Sequence, residues 1–275
     1  MRVLVTGSTD GIGRETVRKL ASLGYDIVVH GRSQQRTGDV AARIRNDYPD
    51  ITCNGIVADL SSLKQVKRLA DEIIHRNLIP DILINNAGID EKDFALSKDG
   101  CQLPFAVNHL AHFYLTLLLL DNLPDNAKII NVSSRLHESV SKIDFENLND
   151  KNHYNGNEAY SASKLCNVLF TYRLNRLLKG RRGITVNALH PGVINTKMLL
   201  QGWGPIGAPV KEGAKMLTYV AASKEASGIS GAYFSDMRKQ RSSSVSYDEK
   251  LQDECWKKSI ELITLAGFEV PEINE

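Results

Sequence analysis

The sequence predicts an α/β protein with a doubly wound, mostly parallel sheet. Three observations carry that prediction. Short β-branched runs alternate with longer segments of helical period. The runs are nearly all apolar, as strands covered on both faces must be. And the first run leads directly into a glycine-rich turn at the head of a helical segment.

Taken in order, the expected strands are Arg2 to Thr6, Asp26 to His30, Thr52 to Val57, Ile82 to Asn85, Lys128 to Val132 and Ile184 to Ala188. Helices are expected between them at Gly11 to Leu23, Gln34 to Asp47, Ser61 to Arg76, Leu103 to Leu120 and Ala159 to Lys179. Strands joined by helical crossovers of this length give a Rossmann-type sheet with helices on both faces. Two stretches break the rhythm. Residues 135–158 are rich in Asn, Asp, Lys and His with little apolar period, which predicts a long surface loop near the site. Gln201 to Pro209 hold three glycines and two prolines, which predicts a flap over a ligand, with the flap region spanning about residues 193–212. The tail carries a serine cluster, Ser242 to Ser244, and then an amphipathic helical segment, 248–266.

The chain of 275 residues fits one large domain, 1–275, because layered α/β cores keep growing to about 250–300 residues. Its 34 basic and 32 acidic side chains are scattered, so no concentrated field is available to capture nucleic acid or an anionic membrane. Small-molecule chemistry is the better expectation. Cys53, Cys101, Cys166 and Cys255 form no C-x-x-C pair and are expected to be buried thiols. Phe113 to Leu120, the longest apolar run, is well short of the about 20 residues of a membrane helix, and no leader precedes the first strand; the expectation is a cytoplasmic protein without an anchor.

The turn Thr6-Gly7-Ser8-Thr9-Asp10-Gly11-Ile12-Gly13 sits between strand and helix. Glycine there permits a tight bend and lets backbone N–H groups approach a pyrophosphate at the positive end of the helix. The second strand ends at His30-Gly31-Arg32, where a carboxylate would hold the ribose hydroxyls of NAD and an arginine would accept the 2′-phosphate of NADP. Gly31 stands in the carboxylate position, and Arg32 and Arg14 offer two guanidiniums. NADP(H) is therefore preferred over NAD(H), against the alternative of two solvated surface arginines.

Further along lie Asn85-Asn86-Ala87-Gly88, Asn131-Val132-Ser133-Ser134, Tyr160-Ser161-Ala162-Ser163-Lys164 and His190-Pro191-Gly192. Together with the opening turn, in this order and spacing, they make Met1 to about Thr196 resemble the short-chain dehydrogenase/reductase family. Val107-Asn108-His109-Leu110-Ala111-His112-Phe113 is similar to its retinol-dehydrogenase-like branch. The resemblance implies an oxidoreductase that interconverts an alcohol and an aldehyde or ketone by hydride transfer, as a homodimer or homotetramer built through Leu103 to Leu120 and Ala159 to Lys179.

Tyr160 and Lys164, four apart on one helix, share a face, and a neighbouring ammonium favours the phenolate; Tyr160 is the expected acid/base. By resemblance, Ser134 rather than Ser133 bonds the substrate oxygen. Lys164 also holds the nicotinamide ribose, and Asn108 holds a water of a proton relay or is merely a helix amide bonded to backbone. The same resemblance lines the dinucleotide with Gly7, Ser8, Thr9, Gly11, Ile12, Gly13, Asp59, Leu60, Asn86, Ala87, Gly88, Tyr160, Lys164, Pro191, Gly192, Val193 and Thr196. Asp59 is equally placed to cap the helix near Ser61. The 25 residues between Ser134 and Tyr160 are more than the family usually has, which bears on the substrate entrance.

His109 and His112 lack a further ligand and are read as packing or surface residues, with no metal. Met198, Leu199, Leu200 and Trp203 form an apolar group beside the flap, suited to an apolar substrate or to a packing contact. A lyase or epimerase on the same scaffold, and a non-catalytic NADP(H)-sensing protein, are the rival readings.

Overall fold

The structure, a computed structural model, describes residues 1–179 and 181–273, with the backbone alone at 201–203. Eight strands are ordered β3-β2-β1-β4-β5-β6-β7-β8. These are β1 Arg2–Val5, β2 Asp26–Gly31, β3 Cys53–Val57, β4 Ile82–Asn85, β5 Lys128–Val132, β6 Thr185–Leu189, β7 Ala232–Ser235 and β8 Arg238–Gln240. All pair in parallel except β7 with β8. The order reverses between β1 and β4, so the carboxyl ends of those two strands open the crevice where such sheets bind ligands.

The helices are α1 Gly11–Ala21, α2 Gln34–Asp47, α3 Leu63–His75, α4 Leu103–Phe105, α5 Ala111–Leu120, α6 Gly156–Leu177, α7 Lys197–Trp203, α8 Val210–Ala222 and α9 Glu249–Leu265. One core layer joins α3, α5 and α6 to the sheet through residues such as Leu4, Leu83, Phe113 and Leu169. The other joins α1, α2 and α8 through Val5, Val17, Ile44 and Leu217.

The first six strands and five helices appear where expected, with ends shifted by a few residues. The helix expected at Ala159 begins at Gly156, because the Asn155 side chain caps it by accepting from the Asn157 and Glu158 amides at 3.0 and 3.2 Å. The segment 103–120 is continuous helix but is interrupted by a π-turn at Ala106–Leu110. Residues 103–120 are also apolar and long enough to cross a membrane by composition, yet 89% of that stretch is buried in the fold, as in a core helix. The expected loop 135–158 holds two short 3-10 turns, Arg135–Ser139 and Lys151–His153.

The flap is smaller than expected. Asn195 clamps its base, donating to the Gly207 carbonyl at 2.6 Å and accepting from the Gly207 amide at 2.7 Å, while α7 forms its body. From Val210 onward the chain is α8, packed on α1 where Gly213 lies against Ile12. Trp203, expected to shape the substrate pocket, lies outside the described side chains.

The helices expected to join subunits are covered by the chain itself. α9 packs on α6, with Arg173 and Arg176 both paired to Asp253, and Trp256 rests on Phe113 and Phe170. All four cysteines are free and buried.

Candidate active site

The glycine turn is held from below by buried polar groups. The Thr6 hydroxyl accepts from the Asn86 and Ala87 amides at 2.8 and 3.0 Å and lies 2.9 Å from His112 Nε2. Asn86 Nδ2 donates to the Thr6 carbonyl at 2.8 Å. Gly7 has φ +64°, and a Cβ there would lie 2.8 Å from Ala87 Cα; at Gly13 it would lie 2.4 Å from the Gly7 carbonyl oxygen. The turn and the Asn86–Ala87 segment thus pack backbone to backbone, which only glycine allows.

His30 supports the same turn. The Gly7 amide donates to its Nδ1 at 3.2 Å, while Nε2 lies 3.2 Å from the Ala58 carbonyl, so the proton sits on Nε2. Burial pushes this imidazole down to about 4. Ser8 was expected to face the dinucleotide. It is fully buried instead, with its hydroxyl accepting from the His30 amide at 3.0 Å, so it builds the turn.

The head of α1 is an anion site already engaged by one carboxylate. Asp10 accepts from the Gly11 amide at 2.8 Å and pairs with Arg36 and Lys197, both at 2.9 Å. The Lys197 hydrogen bond is the main reason its carboxyl falls to about 2, against the opposing effect of partial burial. Thr196 lies beside Gly11, its Cγ2 3.6 Å from where a Cβ would be, and caps α7 by accepting from the Leu199 amide at 3.3 Å. Arg14 and Arg32 are exposed and form no ion pair among the described residues.

No side chain fits at position 31, since a Cβ would lie 2.4 Å from Thr9 Cγ2. The end of β2 therefore offers no carboxylate. Sequence reasoning missed Arg36, which sits three residues past the Ser33 helix cap and so one turn into α2.

Beyond the end of β3 lie Leu60 and Asp59. Leu60 is a buried core side chain. Asp59 accepts from the Ser61 amide at 3.0 Å and hydroxyl at 2.8 Å and pairs with Lys98 at 2.8 Å, which is the local turn-building role. Burial works to raise its pKa, and the Lys98 and Ser61 bonds outweigh it, so the net shift is downward.

At the carboxyl end of β5 and along α6 the polar triad assembles. Ser133 is buried and donates to the Lys164 carbonyl at 2.7 Å, which leaves Ser134 as the hydroxyl facing the crevice. Lys164, 3% exposed, donates to the Val132 carbonyl at 3.2 Å with Nζ 5.6 Å from the centre of the Tyr160 ring. Gly88 lies over both Lys164 and Asn108: a Cβ there would be 3.2 Å from Nζ and 3.3 Å from Oδ1.

Burial dominates the electrostatics of the pair. Burial raises the Tyr160 phenol to about 12, with the Ser134 hydroxyl pulling the other way, and burial lowers Lys164 to about 8. Desolvation of the phenol outweighs the Ser134 hydrogen bond, and Asp90 adds to the upward shift.

Asn108 is fully committed. Its Nδ2 donates to the Ile89 carbonyl and Ser163 hydroxyl, both at 2.9 Å, and its Oδ1 accepts from the Ile89 amide at 2.8 Å. Its carbonyl, in the π-turn, is 3.0 Å from both His112 Nδ1 and Asn167 Nδ2. The side chain therefore clamps the segment after β4, the backbone-bonded alternative, rather than presenting a free amide.

His109 and His112 are packing residues, buried and not at the surface; His109 bonds Ser259 at 2.9 Å. Among the described residues no group of three or more His, Cys, Asp or Glu could hold a metal ion. Pro191, Gly192 with φ +96°, and the exposed Val193 follow β6.

A sequence model of the family described as short chain dehydrogenase matches residues 1–202. Human retinol dehydrogenase 13 is 37% identical, covering 99% of this chain and 86% of that protein. Mouse retinol dehydrogenase 14 is 35% identical, covering 92% of this chain and 83% of its own. The crystal structure of a short chain dehydrogenase from Burkholderia cenocepacia in complex with NADP superposes with a TM-score of 0.69 at 27% identity, over 85% of this chain and 94% of that one.

Proposed function

The chain belongs to the short-chain dehydrogenase family, retinol-dehydrogenase-like in sequence, and from that membership we propose an NADP(H)-dependent interconversion of an apolar alcohol and its aldehyde or ketone. It is an oxidoreductase of CH–OH groups with a nicotinamide cofactor. The observation that carries the finer reading is the convergence of Ser134, Tyr160 and Lys164 in one crevice that runs to a glycine-lined helix head.

The residues present fit a dinucleotide. Gly7, Gly11 and Gly13 keep the head of α1 free of side chains, and Gly88 leaves room above the Lys164 ammonium. Thr9, Ile12, Asn86, Ala87 and Thr196 border the same channel. When bound, the cofactor supplies or accepts the hydride. Arg32, exposed one residue past β2, and Arg14, exposed in the first turn of α1, are the guanidiniums offered to an extra phosphate, and glycine rather than a carboxylate stands at position 31; both features support NADP over NAD.

The protein moves the proton. Burial keeps the Tyr160 phenol protonated at neutral pH, the form that delivers a proton to a carbonyl oxygen in reduction. Ser134 donates a hydrogen bond to the same oxygen and holds it within reach. Lys164 stands beside the phenol and takes positive charge below about pH 8. Asn108 keeps the Ile89 segment fixed above Lys164. An apolar substrate is supported by the flap, where Val193, Leu200 and Ile206 are 49%, 46% and 67% exposed at the rim. Association as a homodimer or homotetramer through α5 and α6 would have to use the surface of these helices that α9 leaves uncovered.

Purified protein screened with NADPH and NADH against aldehydes, ketones, retinoids and steroids is the test. NADPH-dependent reduction of apolar carbonyls is expected, lost in Tyr160→Phe. Arg32→Asp is expected to shift preference toward NADH, and an unchanged NADPH/NADH ratio would refute the cofactor assignment. Full activity in Tyr160→Phe would favour a different mechanism.

A further inference from the structure

The peptide group joining Ser134 to Arg135 is held at both ends by a buried imidazole. Its carbonyl lies 2.7 Å from His137 Nδ1, and its N–H donates to His190 Nδ1 at 3.2 Å. His137 and His190 are 0% and 4% exposed. A carbonyl accepts only, so His137 carries its proton on Nδ1. That assignment agrees with its other edge, where Nε2 accepts from the Ser243 amide at 3.0 Å. His190 accepts at Nδ1, so its proton is on Nε2, which is buried without a partner among the described residues. The two rings therefore hold opposite tautomers on one peptide plane. Burial is the main cause that lowers both imidazoles, His190 to about 4, which keeps them neutral as these bonds require.

The surroundings fix both rings. The His137 ring packs on Tyr233 at 4.9 Å, and the His190 amide is bonded to the Phe234 carbonyl of β7 at 2.9 Å. On the other side of Ser134, the Ser133 amide is bonded to the Leu189 carbonyl at 2.7 Å. Ser134 thus leads from β5 into the Arg135–Ser139 turn, which it caps by accepting from the Leu136 amide at 3.3 Å; its onward peptide is clamped, and the orientation of that plane sets the direction of its Cα–Cβ bond.

The geometry points to His137 and His190 as positioning residues that aim the Ser134 hydroxyl at the substrate oxygen through the Ser134–Arg135 peptide. His137 also ties that aim to the Ser242–Ser246 turn ahead of α9. The inference rests on the reading of Ser134 as the substrate-binding hydroxyl.

The test starts with 15N NMR of the imidazoles in the intact protein at pH 7. A proton on Nδ1 of His137 and on Nε2 of His190 is expected; the reverse at either ring overturns the proposal. Kinetics then use NADPH oxidation with a panel of aldehydes that includes retinaldehyde. In His137→Gln the side-chain amide reaches the place of Nε2 and abandons the Ser134 carbonyl, and in His190→Phe the acceptor is gone. Both are expected to lower kcat about 10-fold, one lost buried hydrogen bond expressed in the transition state, with KM and NADPH affinity unchanged. His137→Asn and His190→Asn restore an amide donor or acceptor at the place of Nδ1 and are expected to recover kcat to within about 3-fold.

Full kcat in the Gln and Phe variants, or Asn variants no better than these, overturns the clamp. Should His190→Phe fail to fold, the His137 pair and the tautomers still decide. Ser134→Ala separates the two failures: if it stays fully active the reading of Ser134 falls and the inference with it, and if it is inactive while the Gln and Phe variants are unimpaired only the clamp falls.

Discussion

Lowering the pH from 7 to 4 is expected to unfold this protein through three buried histidines. Desolvation pushes His30 and His190 down to about 4 and His112 to about 3, from 6.5 in the unfolded chain. Between these limits the unfolded chain binds protons that the folded chain refuses. Stability is therefore fully present above pH 6.5 and is lost as pH falls toward 4. At about 1.4 kcal/mol per tenfold, each ring costs about 2 kcal/mol by pH 5 and about 3 kcal/mol by pH 4. The three together cost roughly 9 kcal/mol at pH 4, comparable with a typical total stability of about 5–15 kcal/mol.

Thermal melting followed by circular dichroism from pH 7.5 to 4.5 checks this. A fall of more than about 10 °C by pH 5 is expected at roughly 2–4 °C per kcal/mol for a chain of this size. Asp10, lowered to about 2, contributes in the same direction only below about pH 3.8, while His137, also lowered by burial, adds to the loss within the window. His30→Asn keeps an acceptor for the Gly7 amide and removes one titrating ring, so the loss by pH 5 should shrink by about 2 kcal/mol. A melting temperature that stays flat between pH 7 and 5 would refute the reasoning.

Three further outcomes are expected. Tyr160→Phe should lower kcat in both directions by about 100-fold or more while leaving NADPH affinity nearly intact, measured by turnover and by cofactor fluorescence. In the unsubstituted protein the oxidative rate should rise with pH toward the high Tyr160 value while the reductive rate falls as Lys164 loses its proton above about pH 8, read from paired pH–rate profiles. Gly13→Ala places a methyl 2.4 Å from the Gly7 carbonyl oxygen and 2.6 Å from Asn86 Nδ2; a loss of about 1–3 kcal/mol in chemical denaturation and a weakened dinucleotide Kd are expected.

Much of the architecture was legible because buried parallel strands write themselves as apolar runs, and the order of the short motifs located Ser134, Tyr160 and Lys164. The last hairpin was not. Its two-residue turn, Asp236–Met237, adopts φ of +50° and +54° without a glycine, so the usual punctuation between β7 and β8 is missing. α8 was missed because its first turn carries Gly213, present for close approach to Ile12 and not for flexibility. The π-turn around Asn108 leaves no trace in residue period. Of the supports of the site, His30 and His190 stand in sequence within short motifs and His137 within the loop 135–158, with nothing to mark what they bond. Only the fold shows which backbone groups they hold. The direction of the Tyr160 shift was also beyond spacing, since four residues along a helix reveals proximity and not desolvation.

By laying α9 across α5 and α6, the chain supplies the neighbour for its own apolar face. A face completed by a second molecule empties on dilution, whereas one completed by a tethered segment is filled at any protein concentration. Phe113 and Phe170 therefore keep Trp256 as company in a dilute cell extract as firmly as in a concentrated stock, and the helix bearing Tyr160 and Lys164 needs no mass action to stay assembled.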